Sequence, residues 1–131
     1  LMKGPSTPGD SVLATPGNTD DASTSEEKHL LCKRCTHPVT TKSAALEVEG
    51  TWKHTFVNPG GFVFHIGCFQ RADGVVDVGI PTIEHSWFTG YAWTVCLCFG
   101  CNEQLGWRFH GTGPFFGLIL ERLREANPDA P

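Results

Sequence analysis

The sequence predicts a mostly β domain of antiparallel strands with one short helix near its C-terminus. Three observations predict it: short alternating apolar runs broken by Pro and Gly, two C-x-x-C pairs far apart in the chain, and one late segment with helical spacing. At 131 residues the chain suits one domain with a modest core. A formal net charge of −4 supplies no basic field for sequence-independent nucleic-acid binding. No apolar run approaches the roughly 20 residues needed to cross a bilayer, so no membrane partner is expected and the protein is expected to be soluble. Residues 1–28 lack the apolar core of a secretory signal, which favours the cytoplasm.

The elements follow in order. Residues 1–28, LMKGPSTPGDSVLATPGNTDDASTSEEK, are rich in Pro, Gly, Ser, Thr and Asp. With so few large apolar residues they cannot offset the entropy of ordering, and a flexible tail is expected. The composition changes at His29, and the folded domain is expected over 29–127. TWKHTFVN (51–58) reads as a strand ending at the breaker Pro59-Gly60-Gly61, and FVFHIGCF (62–69) as the next strand. VVDVGI (75–80) is expected to stop at Pro81. YAWTVCLC (91–98) places Trp93 and Val95 on one side and Thr94 and Cys96 on the other, and GWRFHG (106–111) puts Trp107 and Phe109 together with Arg108 and His110 opposite. After Gly113-Pro114, Phe116, Ile119, Leu120 and Leu123 recur at i, i+3, i+4 and i+7, one stripe of a helix that would close the core before Asn127-Pro128.

Six cysteines stand at 32, 35, 68, 96, 98 and 101. Cys32-Lys33-Arg34-Cys35 and Cys98-Phe99-Gly100-Cys101 each form a tight turn whose two thiolates can face one ion. Together they would complete a closed tetrahedral shell around one Zn²⁺, a structural rather than catalytic site. The 62 residues between the pairs exceed what a zinc finger encloses, so the ion would pin the start of the domain near its end. Disulfides or a redox C-x-x-C are the competing readings. Cys68 and Cys96 are expected as buried free thiols, with a disulfide between them as the alternative.

The second pair joins the Trp93 segment to the Trp107 segment like the bend of a hairpin, which would bring those indoles face to face, with Trp87 approaching over the Thr89-Gly90 turn. Three indoles around a small void make flat apolar walls suited to a small planar ring or a cation. On composition alone, the same aromatics serve as core filling.

The strings NP (58–59), EHSWFTGYAWTVCLCFGC (84–101), LGWRF (105–109), FFGLI (115–119) and LCKRC (31–35) resemble the C-terminal thalidomide-binding (CULT) domain family of cereblon, across residues 29–126. The resemblance implies two antiparallel sheets meeting at an angle and pinned by zinc, a β-tent. It implies that Trp87, Trp93 and Trp107 form an aromatic cage with Phe109 at its base, which takes a glutarimide or similar cyclic imide. Backbone groups at His85 and Trp87, with the His85 ring, would hydrogen-bond the imide edge, and Asn58 would touch the outward part of the ligand. Physiological ligands implied are a protein C-terminus bearing a cyclised Gln or Asn, or uridine. Nothing in residues 1–28 matches the parts of cereblon that dock onto a cullin-ligase adaptor, so that partner is not expected from this chain. The HGTGP loop (110–114) is shorter than in vertebrate members, which changes the surface beside the cage.

Two rival functions remain at this level. A methyl-ammonium reader would use the same cage, with Glu84 as its carboxylate. A methionine-sulfoxide reductase of the B type would need a nucleophilic cysteine, and only Cys68 or Cys96 is left to serve, with no cationic neighbour in sequence to lower its pKa. A non-enzymatic binding module is the expected function.

Overall fold

The computed structural model describes residues 28–126. The tail expected over 1–28 lies outside them except for Lys28, whose carbonyl accepts the Lys42 N–H at 2.9 Å. In chain order the elements are β1 (His29–Cys32), β2 (Pro38–Thr41), a 3-10 turn (Lys42–Ala44), β3 (Lys53–Val57), β4 (Val63–Phe69), β5 (Val75–Thr82), β6 (Ala92–Cys98), β7 (Gln104–His110), β8 (Phe115–Ile119), a second 3-10 turn (Leu120–Arg122) and β9 (Leu123–Ala126). They form two antiparallel sheets, β9-β1-β2 and β3-β4-β8-β7-β6-β5.

The larger sheet carries the strands read from alternation. In β3, His54 and Phe56 are half-buried while Lys53, Thr55 and Val57 face water. The β3–β4 hairpin turns at Asn58-Pro59-Gly60-Gly61, where the Asn58 Oδ1 accepts the Phe62 N–H at 2.9 Å. Strand β5 runs on through Pro81 to Thr82 instead of stopping before it. It is an edge strand, so a residue without an N–H removes no ladder bond on its open side.

The helix expected after Gly113-Pro114 does not form. Residues Phe115–Ile119 are β8, which lies between β4 and β7 and pairs with both, as in Cys68↔Gly117 and Trp107↔Gly117. A five-residue apolar run between turn residues fits a strand buried on both faces as well as a helical stripe, and Gly117 weakens a helix. The periodicity at Leu120 and Leu123 comes from the 3-10 turn, which hands the chain to β9 and the smaller sheet.

Two apolar clusters fill the fold. One joins the sheets, with Leu30, Cys32, Val39 and Leu123 from the smaller meeting Phe69, Cys98, Leu105 and Leu118 from the larger. The other gathers Ile66, Cys68, Phe88, Trp107, Phe109, Phe115 and Ile119 beneath the connection between β5 and β6. Gly74 crosses from one sheet to the other: its N–H donates to Val39 O at 3.0 Å and its carbonyl accepts the Phe99 N–H at 2.9 Å. A Cβ there would stand 1.9 Å from Pro38 O.

Because that clash is with backbone, Gly74→Ala should cost about 3 kcal/mol in urea denaturation. Gly113→Ala, whose Cβ would meet only the Tyr91 Oη at 3.7 Å, should stay within about 0.5 kcal/mol of the parent. Equal midpoints for the two variants would contradict this account of the sheet junction.

Candidate functional site

Cys32, at the end of β1, and Cys35 meet Cys98, at the end of β6, and Cys101, with all four Sγ atoms within 4.8 Å of one another. The two C-x-x-C turns share one local geometry. Cys32 and Cys98 each accept, on their carbonyls, the N–H of the residue four positions on, Thr36 and Asn102, at 2.8 Å. Each also donates its N–H to the residue five positions on, His37 and Glu103. Thr36 (φ 66°) and Asn102 (φ 67°) both take the left-handed conformation that reverses the chain. Sulfur separations across the cluster are 3.7 Å for Cys32–Cys101 and 3.6 Å for Cys35–Cys98. These are far beyond a disulfide bond of about 2.05 Å, and they match the edge of about 3.8 Å in a tetrahedron with metal–sulfur bonds near 2.3 Å. The four cysteines therefore fit a four-coordinate metal ion. Around them, Glu103 lies 3.2 Å from the Arg34 Nη1 and 4.0 Å from the Arg122 Nε, tying the two turns together at the surface.

The second turn is also the bend of the β6–β7 hairpin, so the same cysteines position the aromatic strands. Trp93 pairs with Phe109 and Val95 with Trp107, which sets the indoles of Trp93 and Trp107 diagonally across the pair and not opposite one another as expected. Both look away from Arg108 and His110. On that other face His110 Nε2 lies 2.9 Å from the Thr94 Oγ1, and Asp77 lies within 4.0 Å of both Arg108 and His110.

The connection 83–91 completes the aromatic side. Its anchor is Phe88, 1% exposed, whose ring meets Phe109 at 4.8 Å and Phe115 at 5.0 Å edge-on. The Ser86 Oγ donates to Phe88 O at 3.1 Å and holds the turn, and the Trp93 indole N–H donates to Glu84 O at 2.8 Å. Trp87 stacks on Phe56 at 4.7 Å and 8°, and meets the Trp107 ring edge-on at 4.8 Å. His85 sits between these ties at φ 60°, an uncommon conformation for a residue with a side chain. Among the described residues, the backbone N–H and C=O groups of His85 and Trp87 take no hydrogen bond.

The space so framed is a cavity of about 270 Å³ lined by Asn58, Pro59, Phe64, His85, Trp87, Trp93, Val95, Gln104, Trp107 and Phe109. All six ligand residues expected from the sequence (Asn58, His85, Trp87, Trp93, Trp107 and Phe109) line it. Phe109 is fully buried at the floor, with room because position 117 has no side chain: a Cβ on Gly117 would stand 2.9 Å from its ring. Sequence reasoning missed Pro59, Phe64, Val95 and Gln104 as lining residues and Phe88 as the anchor. Strand parity could have found Phe64 and Val95, which share a face with Ile66 and Trp93; Gln104 and Phe88 depend on tertiary contacts.

Cys68 and Cys96 are both free and fully buried. Burial pushes each thiol up to about 12, with Glu49 adding to it at Cys68 and Asp77 at Cys96, so both are neutral and poor nucleophiles near pH 7.

No family model matches the chain. It is similar to protein cereblon from Gallus gallus, 34% identical over 110 residues, and from Xenopus tropicalis, 37% identical over 109 residues. These alignments cover 77% and 76% of this chain, respectively, and 24% of each relative. Cereblon from Danio rerio is 36% identical over 108 residues, 76% of this chain and 25% of that protein. The chain thus spans about a quarter of the length of the curated relatives it matches. Among solved structures, the Mis18 'Yippee-like' domain superposes with a TM-score of 0.55 at 14% identity, covering 77% of this chain and 96% of that one, a likeness of fold.

The cysteine geometry makes a definite forecast. The purified chain should carry about one metal ion per molecule by elemental analysis, and Cys98→Ser should lose the ion and cooperative unfolding together. Cys68→Ser, outside the cluster, should keep its metal. A folded metal-free parent would overturn the assignment.

Proposed function

From the premise that this chain is a cereblon relative over about a quarter of that protein's length, we propose that it is a non-enzymatic binding module. Its tryptophan cage takes a small cyclic imide of the glutarimide class, and one Zn²⁺ held by Cys32, Cys35, Cys98 and Cys101 maintains the fold. The observation that carries this reading is that one cavity is lined by Trp87, Trp93, Trp107 and Phe109 together with His85 and Asn58. A cyclic imide presents an acceptor–donor–acceptor edge with an apolar ring behind it. The unpaired backbone groups of His85 and Trp87, with the His85 imidazole, can pair that edge while the indoles enclose the ring. Four thiolates at tetrahedral spacing favour Zn²⁺ over hard, oxygen-preferring ions such as Mg²⁺ and Ca²⁺. A closed shell of four protein ligands leaves no position for a substrate, so the ion's contribution is structural.

Within this class the natural ligand is a protein C-terminus ending in a cyclised Gln or Asn, or uridine, which shares the imide edge. The ammonium-reader alternative is disfavoured because no carboxylate among the described residues lines the cavity. Glu84 turns outward, its side chain 78% exposed and 3.7 Å from the His85 Nε2. The reductase alternative is disfavoured by the buried, neutral state of Cys68 and Cys96.

Tryptophan fluorescence tests the reading directly. Glutarimide has about eight heavy atoms, so a dissociation constant on the order of micromolar or weaker is expected. Trp93→Ala should weaken it at least about tenfold with metal content unchanged, and N-methylglutarimide should bind the parent at least about tenfold more weakly for lack of the N–H. A quench by trimethyl-lysine and none by glutarimide would overturn the proposal. Separately, iodoacetamide at pH 7.5 should leave Cys68 and Cys96 unmodified until the protein is denatured; rapid labelling of either in the folded state would reopen the enzymatic reading.

A further inference from the structure

The cavity does not end at the cage. Gln104 opens β7 opposite Leu97, and Leu97 is four residues along β6 from Trp93, about 13 Å at the usual strand rise of about 3.3 Å per residue. The carbonyl of Glu84 is tied to the Trp93 indole, so His85 and its free backbone groups belong to the Trp93 end of the cavity. Gln104 belongs to the other end, next to the metal turn, with Val95 and Trp107 between.

Three polar side chains line the cavity apart from the indoles, and they differ in how far they are committed. The Asn58 Oδ1 is taken by the Phe62 N–H. The His85 ring stands 3.7 Å from the Glu84 carboxylate. The Gln104 side-chain amide has no hydrogen-bond partner among the described residues, although its backbone is held firmly, with its carbonyl accepting the Arg122 Nη1 at 2.7 Å. A half-buried amide on a fixed strand, facing a largely apolar cavity with both donor and acceptor open, is suited to reading a ligand.

We infer that Gln104 is a specificity-determining residue that pairs with an exocyclic amide carried on the side of the ring away from the imide edge. A secondary amide offers one donor and one acceptor, which the carboxamide of Gln104 can meet with one of each; a hydroxyl or an alkyl group meets it less completely. The cavity therefore selects a ring attached through an amide to a longer chain over the bare ring. This inference rests on the imide reading of the cage.

The test compares 3-acetamidoglutarimide with 3-propylglutarimide, of similar size, by fluorescence titration of the parent and of Gln104→Met. The parent should prefer the acetamide by about tenfold, the scale of one or two net hydrogen bonds, and in Gln104→Met the ratio should fall to about one. Gln104→Ala should fall in the same way, which separates loss of the amide from any steric effect of methionine. Metal content and melting temperature equal to the parent's show that the variants are folded, as expected for a side chain with no hydrogen-bond partner among the described residues. A preference for the acetamide that survives both substitutions, or no preference in the parent, overturns the role of Gln104 while leaving the cage reading intact. If the parent binds neither compound nor glutarimide itself, the imide reading has failed, and this inference with it.

Discussion

Four thiol groups converging at the seam between two sheets set the terms for the rest of the molecule. Cys32 ends a strand of the smaller sheet and Cys98 ends a strand of the larger one, and both belong to the apolar cluster the sheets share, so a cation bound there would fasten the two sheets. A core whose one fully buried aromatic ring is Phe69, with Trp52 and Phe116 packed half-buried against it, leaves a small domain with little to spare. A metal ion held by the four cysteines would add to that packing and offset the entropy of closing a long loop. The same cysteines act at a second level. The turn that contributes Cys98 and Cys101 is the bend of the β6–β7 hairpin, so the register of Trp93 and Trp107 follows from the metal turn.

The aromatic side is held by a different kind of constraint. Phe88 is pressed into a pocket of rings, and Trp87 and Trp93 are fixed on either side of it, one by stacking and one by a hydrogen bond to Glu84. Edge-to-face rings at about 5 Å bring modest gains beyond their buried area, yet their geometry is restrictive, and several around one ring leave little choice of orientation. Gly117 belongs to the same arrangement, because its missing side chain is what lets Phe109 lie flat beneath the cavity. The wall is formed by packing, and the polar edge by loop backbone that no other described residue uses.

How much of this could be read from the chain depended on whether the signal was local. The strands of the larger sheet announced themselves through alternation and Pro-Gly breaks, and the cysteine pairs through spacing alone. The smaller sheet did not: HLLC, PVTT and LREA are four residues each, too short to show a period, and they are strands because β1 is flanked by partners from both ends of the domain. The stripe from Phe116 to Leu123 was ambiguous for a physical reason, since a strand buried on both faces and one side of a helix draw on the same residues. Aromatic residues of the cavity were legible as a group, whereas their mutual placement was not. The bulge between Cys96 and Leu97 shifts the register of β7, and it is this shift that seats Gln104 beside the cavity.

His85 adds a kinetic dimension. Its backbone is already in the left-handed region, between a neighbour tied to Trp93 and another held by the Phe88 anchor. The strain of that conformation is therefore met during folding and not during encounter. On the proposed reading, a ring entering the cavity meets walls and a polar edge that the described residues already hold in place. Arrival is then governed by diffusion and orientation, and differences among ligands of this size are expressed in how long each one stays.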